Sequence, residues 1–491
     1  MQFEHLTPDA CYQAMKAHDL RFDGHFFVAV SSTRIYCRPI CRVRLPKQQN
    51  CAFYPNAAAA EAAGYRPCLR CRPELAPGFA ATEASTKLAR TAARMIEDGI
   101  ANEVDLAVVA QRIGVTDRHL RRIFAAEFGV SPLQYAQTHR LLLAKRLLTD
   151  TPLPVAEIAF ASGFASVRRM NRLFAERYGF SPTRLRKEGR SAAAADGDGL
   201  TFLLPYRPPY DFPRILAFLG LRAMPGVESV AQGVYRRIIR VGDGTGWLEV
   251  SHPPKRHALQ LRFAGSLAAA TQALLSRTKQ VFDVAADPLE ISAALGQLAD
   301  GAKGLRLPGA FDPFELALRA ILGQQVSVKA ARTLAARFVD TFGEPVAAPF
   351  DELTRAFPTP SRVAELSRDD IGRLGIVGQR AEAMIAIAQA VNSGTLDLLN
   401  AAEPAQTIAT LCGVRGVGPW TAHYIAMRAL AWPDAWPPKD VAVQNALNLP
   451  NTTAGQRRAE VLADAWRPWR SYAVLHLWRK LERPDDTETA I

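Results

Sequence analysis

The chain has 491 residues, enough for several domains each with its own core. Charged residues make up 22% and the hydrophobic set 48%, which excludes a disordered or fibrous class, and no run of about 18 apolar residues marks a membrane span. The net charge of +13 is unevenly placed: residues 1–190 carry 28 Lys and Arg against 17 Asp and Glu, the remainder 32 against 30. A basic first part points to nucleic acid as its partner, and no membrane partner is expected. With no apolar leader, the expected compartment is the cytoplasm, where clustered cysteines mean metal or catalysis more often than disulfides.

Six of the seven cysteines lie within the first 71 residues. Cys37 and Cys41 are separated by three residues, Cys68 and Cys71 by two. Two short-spaced pairs are what a tetrahedral zinc ion needs, because each pair can turn back and offer two thiolates. Arg34, Arg38, Arg42, Arg44, Arg66, Arg70 and Arg72 crowd around them. On residues alone two readings stay open. Either the metal only holds a small basic domain together, or one thiolate is also a nucleophile facing a phosphate backbone. Cys11, Cys51 and Cys412 have no obvious partners and read as ordinary thiols.

From about 84 to 190 the pattern is almost continuous short helices with an internal repeat. Arg122-Ile-Phe-Ala-Ala-Glu-Phe-Gly-Val-Ser-Pro132 returns 50 residues later as Arg172-Leu-Phe-Ala-Glu-Arg-Tyr-Gly-Phe-Ser-Pro182. Each copy follows a helix, a glycine corner and a capped basic helix. Gly114 precedes Asp117 as N-cap with Arg118, Arg121 and Arg122; Gly163 precedes Ser166 as N-cap with Arg168 and Arg169. That is helix-turn-helix chemistry, with a basic second helix suited to the major groove. The double motif resembles the AraC-family DNA-binding domain, which implies transcriptional regulation by two recognition helices.

Around the cysteines, Tyr36-Cys-Arg-Pro-Ile-Cys41, Phe53-Tyr-Pro-Asn56 and Gly64-Tyr-Arg-Pro-Cys-Leu-Arg-Cys-Arg-Pro73 resemble the N-terminal domain of the Ada family. The resemblance implies one Zn2+ on Cys37, Cys41, Cys68 and Cys71. It also implies that Cys37 accepts a methyl group from a DNA methylphosphotriester, with Arg34, Arg38, Arg42, Arg44 and Arg70 on the DNA backbone. No Pro-Cys-His-Arg sequence occurs, so the O6-methylguanine methyltransferase activity of Ada proteins is not assigned.

The stretch from Ser191 to Gly199 is small and polar and reads as a linker. Strand-like runs follow at Thr201–Leu204, Tyr235–Val241, Trp247–Val250 and Ala258–Phe263, then a helix-like run from Ala268 to Phe282. From about 310 onward helical patterns dominate. Leu411-Cys-Gly-Val-Arg-Gly-Val-Gly-Pro-Trp-Thr-Ala422 reads as helix, Gly-x-Gly hairpin, helix, in which Gly416 and Gly418 permit positive φ and leave amides pointing outward for a DNA phosphate. About 20 residues on, Asp440 sits in Trp436-Pro-Pro-Lys-Asp-Val441. These features resemble the AlkA family of helix-hairpin-helix 3-methyladenine DNA glycosylases. The resemblance implies Asp440 as the catalytic aspartate and Phe218, Trp420, Tyr424 and Trp478 as the base pocket. It implies Gln325 as the wedge filling the emptied stack. Trp420 occupies the hairpin position of the Schiff-base lysine in bifunctional members, which implies a monofunctional enzyme. Gln325 and Val441 depart from the family's usual residues and leave base preference open.

Together these readings predict a multidomain, mainly α chain with α+β parts. A four-cysteine zinc domain spans 1–78, an AraC-type double helix-turn-helix 84–190, and a linker 191–199. A small antiparallel α+β subdomain of the TBP-like kind spans 200–305, and an all-α helix-hairpin-helix glycosylase domain 306–491. The expected partner is double-stranded DNA, as promoter and as alkylated substrate, with RNA polymerase a further candidate. A monomer at the bacterial nucleoid is expected. A regulator whose glycosylase half only binds DNA is the alternative.

Overall fold

A computed structural model describes residues 6–77, 84–99, 106–188, 199–254, 256–399 and 403–481. It divides into two compact units. One comprises Met1–Pro208, Lys255–Ser276 and Val284–Asp287; the other comprises Pro209–Pro254, Arg277–Asp283 and Pro288–Ile491. The expected linker lies outside the described residues except for Gly199, which opens a strand. No described helix is long and apolar enough to cross a membrane.

In the first unit, strands β1 (Phe27–Val30), β2 (Ile35–Cys37), β3 (Cys51–Tyr54) and β4 (Arg66–Pro67) form a sheet in the order β3-β1-β2-β4. Alternate residues of β1 feed two cores. Val28 packs with Cys11, Ala14 and Met15 of helix Pro8–Lys16; Phe27 and Ala29 pack with Tyr36, Ala60 and Tyr65. β1 therefore has no solvent face, and the polar–apolar alternation that marks a half-exposed strand is missing from its sequence.

The repeat folds as two helix pairs, Leu106–Arg112 with Asp117–Phe128 and Val155–Ala161 with Val167–Tyr178, joined by the long helix Pro132–Asp150. Gly114 and Gly163 turn the corners at φ 76° and 78°. Ser166 caps the second basic helix as expected, but the first is capped by Thr116, whose hydroxyl accepts from His119 N. Asp117 is instead the first helical residue, where its charge suits the helix dipole. Leu120, Phe124 and Phe128 are buried in one copy, Met170, Phe174 and Tyr178 in the other.

The expected strands form as Gly199–Pro205, Val234–Val241, Gly244–Ser251 and Ala258–Ala264, and one unforeseen strand is Glu228–Ala231. The run from Ala268 to Phe282 is helical over Thr271–Val281, after a 3-10 turn at Gly265–Ala270. In the second unit Val234–Val241 pairs antiparallel with Glu228–Ala231 and with Gly244–Ser251. Beside them helix Phe212–Arg222 is followed by an array of helices around Phe314, Ile321, Phe338, Met384, Ile387, Leu411 and Ile425. The 306–491 stretch is not wholly α, since Glu344–Pro345 pairs with Arg355–Ala356.

Candidate functional site

The parallel register of β2 on β4 sets Ile35 opposite Arg66 and Tyr36 opposite Pro67, and Cys68 N donates to Tyr36 O at 2.9 Å. Cys37 at the end of β2 thereby meets Cys68, while Cys41 N donates to Arg38 O at 3.1 Å and closes the other turn. The four Sγ atoms lie within 4.8 Å of one another. Tetrahedral zinc with Zn–S near 2.3 Å sets sulfurs about 3.8 Å apart, so the quartet fits one Zn2+. Cys37, Cys41 and Cys68 are buried and Cys71 is half-buried. Cys71 Sγ accepts from Arg38 N at 3.3 Å, which stabilises that sulfur as an anion.

The arginines around the quartet divide. Arg34, Arg42, Arg44, Arg66 and Arg70 are exposed, with the Arg34 guanidinium 5.0 Å over the Tyr65 ring. Arg38 is not a DNA-facing group: it is 6% exposed and both of its outer nitrogens are engaged. Nε donates to Asp23 Oδ1 at 2.9 Å, Nη2 donates to Asp23 Oδ2, and Nη1 donates to Cys71 O at 3.3 Å. Arg38 thus braces the metal loop from beneath. Arg72 likewise pairs with Glu74 and Asp150.

Helix Ala57–Ala62 joins this sheet to both basic helices. Asn56 Nδ2 donates to Phe128 O at 2.9 Å, at the end of the first. Buried Glu61 accepts from Tyr36 Oη and from Thr138 Oγ1, both at 3.0 Å, and its carbonyl accepts from Arg177 Nη1 at 2.9 Å, near the end of the second. Burial pushes the Glu61 carboxyl up to about 7, with Arg177, Thr138 and Tyr36 pulling it back. Arg118, Arg121, Arg122, Arg168 and Arg169 are exposed on the basic helices. Arg121 pairs with Asp117 at 2.8 Å, and Arg122 lies 3.1 Å from His119 Nδ1.

In the second unit a cavity of about 570 Å³ brings together residues far apart in sequence, among them Phe218, Trp420, Tyr424, Asp440 and Trp478. Asp440 is 7% exposed and follows Lys439, held in the left-handed region at φ 61°. Its carboxylate caps helix Val441–Ala446, with Oδ1 accepting from Val443 N at 2.8 Å. The same carboxylate accepts from Trp420 Nε1 at 2.8 Å and from Trp478 Nε1 at 3.4 Å. Trp420 and Tyr424 are stacked at 5.2 Å and 9°, and Tyr424 meets Trp478 at 6.4 Å. Phe218 lines the cavity, but its ring is covered by the guanidinium groups of Arg222 at 3.8 Å and Arg428 at 4.7 Å. A ring already bearing protein cations is a poor stacking platform for a cationic base. Val441 is 54% exposed.

The hairpin joins helix Pro404–Gly413 to helix Pro419–Ala429. Gly416 has φ 92°, and a Cβ there would come within 3.2 Å of Ala383 Cβ, so glycine is required twice over. Gly418 does not use that freedom: its φ is −86°, and it is the N-cap of the second helix with no side-chain cap. The first amides of that helix are therefore left for an anion. Gln325 is exposed at φ 53° in the loop between Pro313–Leu322 and Val328–Phe342. Its neighbour Gln324, which sequence reading passed over, ties this loop to the hairpin by donating to Gly416 O at 2.9 Å and Thr421 Oγ1 at 3.0 Å. Arg380 donates to Gln324 O. Also passed over is the buried set Glu228, Arg237, Glu315 and Arg319, in which Arg237 bridges to Glu228 at 3.1 Å and Glu315 at 2.7 Å.

A hairpin, an aromatic cavity and a buried aspartate, on a chain that also carries a thiolate quartet and paired helix-turn-helix motifs, define a DNA-directed repair and regulatory protein. Four domain families match by sequence. They are the metal binding domain of Ada over 10–74, a helix-turn-helix domain over 109–188, the AlkA N-terminal domain over 201–312, and the HhH-GPD superfamily base excision DNA repair protein over 318–471. The chain is 37% identical over 487 residues to the probable bifunctional transcriptional activator/DNA repair enzyme AlkA of Mycobacterium tuberculosis, covering 97% of each. It belongs to that family. It is also 38% identical over 277 residues to DNA-3-methyladenine glycosylase 2 of Escherichia coli, covering 56% of this chain and 96% of that one. To the bifunctional transcriptional activator/DNA repair enzyme Ada of the same organism it is 39% identical over 142 residues, 29% of this chain and 38% of that one.

Proposed function

We propose that the chain senses DNA methylphosphotriesters, activates transcription in response, and excises alkylated bases such as 3-methyladenine as a monofunctional DNA glycosylase. The Asp440 carboxylate, fixed by two indole N–H groups and a backbone amide against an aromatic cavity, carries the excision reading. A flipped base is held against Trp420, Tyr424 and Trp478. As the glycosidic bond breaks, positive charge grows on the sugar, and the Asp440 anion stabilises it and orients the attacking water. The hairpin amides at Gly418 hold a backbone phosphate, and Gln325 fills the gap in the stack.

In the first unit, zinc when bound keeps the cysteine sulfurs deprotonated at neutral pH. Cys37 Sγ attacks the methyl carbon of the triester, an S–C bond forms, the C–O bond breaks, and the phosphodiester leaves as the anion. Cys37 is taken as the acceptor from the family resemblance, and the Arg38 amide that donates to Cys71 marks that other sulfur as the weaker nucleophile. The quartet loses one negative charge, so DNA affinity rises. The exposed arginines of both basic helices then read the promoter, with RNA polymerase as the partner of the activated state. The chain acts as a monomer in the bacterial cytoplasm, at the nucleoid.

Release of 3-methyladenine from alkylated duplex DNA by the full chain tests the enzyme; DNA binding without release sinks it. Incubation with methylphosphotriester DNA should add one methylene mass to the Cys37 peptide. The same mass on Cys41, Cys68 or Cys71 removes the acceptor assignment.

A further inference from the structure

Gln324 sits where three elements of the second unit meet. Its side-chain amide donates to Gly416 O at 2.9 Å and to Thr421 Oγ1 at 3.0 Å, so it spans the hairpin and the first turn of helix Pro419–Ala429. Its carbonyl accepts from Arg380 Nη2 on helix Gly378–Asn392. That helix also seats the hairpin, since a Cβ on Gly416 would meet Ala383 Cβ at 3.2 Å and Gln379 O at 3.4 Å. Thr421 is buried and follows Trp420, whose indole donates to Asp440. Gly323 and Val326 line the cavity to either side, whereas Gln324 does not.

The next residue is the exposed Gln325, held at φ 53°. A non-glycine residue keeps a left-handed backbone where its surroundings fix it. Here the fixing bonds lie on both sides. Those of Gln324 come before it; after it the Ser327 hydroxyl accepts from Ala330 N at 3.2 Å and caps the next helix. We propose that Gln324 is a positioning residue that sets the span between the phosphate-holding hairpin and the wedge, so that gripping the backbone and filling the vacated stack occur together. This rests on the hairpin and Gln325 roles proposed above. The benefit falls on the step that takes the base out of its pair. A lesion with no pairing partner is easier to extrude and gains less from the clamp.

The test measures single-turnover release of 7-methylguanine from duplexes in which it faces either cytosine or an abasic-site analogue. It uses the full chain as wild type, Gln324→Leu, Gln324→Glu and Thr421→Val. Leu removes both hydrogen bonds at similar size, and Glu sets a carboxylate oxygen against Gly416 O. Either should slow release opposite cytosine about tenfold, and opposite the abasic analogue by no more than about threefold. Thr421→Val, which keeps the Gly416 bond, should slow release opposite cytosine alone, by about threefold. Two Gln324 variants, each checked by thermal unfolding, guard against one that fails to fold. Equal slowing on both duplexes, or none, in a folded Leu or Glu variant overturns the Gln324 assignment. Gln325→Ala should show the same split between duplexes, and its absence removes the wedge role and this proposal with it. If the wild type releases the base from neither duplex, the glycosylase reading falls first and this one follows.

Discussion

Replacing Asp440 by Asn separates chemistry from architecture, because the two depend on different properties of one side chain. The Asn oxygen still accepts from Val443 N, now 2.8 Å from Oδ1, and Asn caps helices as well as Asp. The amide nitrogen then faces Trp420 Nε1, which now donates to Oδ2 at 2.8 Å, and this donor-on-donor contact costs about 1–2 kcal/mol. The catalytic loss is larger. A unit charge about 4 Å from the developing sugar cation, at an effective dielectric constant of about 20, is worth about 4 kcal/mol. That is about a thousandfold in rate. Single-turnover release of 3-methyladenine should therefore fall about a thousandfold while thermal unfolding shifts only slightly. Asp440→Ala adds loss of the cap, about 1 kcal/mol more in stability. An Asn variant within about tenfold of wild type would refute the electrostatic role and leave Asp440 as a helix cap alone.

Two further substitutions test assignments that depend on burial. Arg38→Ala leaves Asp23, 2% exposed, without its partner, and should cost about 3–5 kcal/mol in urea unfolding. Arg42→Ala should cost under about 0.5 kcal/mol but lower the salt slope of DNA binding by about one; equal behaviour of the two would undo the division between bracing and DNA-facing arginines. His476 is 2% exposed, and burial together with Arg479, Lys480 and Arg214 holds its imidazole down at about 4. The unfolded chain binds that proton at higher pH, so wild-type stability is full above about 6.5 and falls toward pH 4, by up to about 3 kcal/mol. The difference between wild type and His476→Phe should shrink over that window, and a constant difference would contradict the burial argument.

How much of this was readable without coordinates depended on whether a residue's role is set locally or across the fold. The cysteine quartet was legible because a metal site announces itself by spacing. The repeat was legible because Gly114 and Gly163 have to turn the same corner. The pocket aromatics and Asp440 came from motif resemblance, and the cavity gathers them. What escaped were roles fixed by partners distant in sequence. Nothing near Arg38 marks it as Asp23's counter-ion, and in a run of basic residues it resembles Arg42. β1 was missed because burial on both faces erases alternation. The Gly-x-Gly pattern did not tell which of its glycines turns the chain: Gly416 does, while Gly418 is an N-cap in extended backbone.

Glu61 shows the limit most sharply. In sequence it sits in an alanine run that signals only a short helix, yet its carboxyl group touches Tyr36, the residue before Cys37, and Thr138 of the long helix. Its backbone holds Arg177 at the end of the second basic helix, while Asn56, five residues earlier and the N-cap of the same helix, holds Phe128 at the end of the first. One six-residue helix therefore fixes both reading helices to the thiolate sheet. A group that burial moves to about 7 gains protons on folding, so its ionisation opposes folding as pH rises from about 4.5 through 7. What the buried carboxyl supplies is directional bonds to Tyr36 and Thr138, which set the sheet's orientation against the long helix.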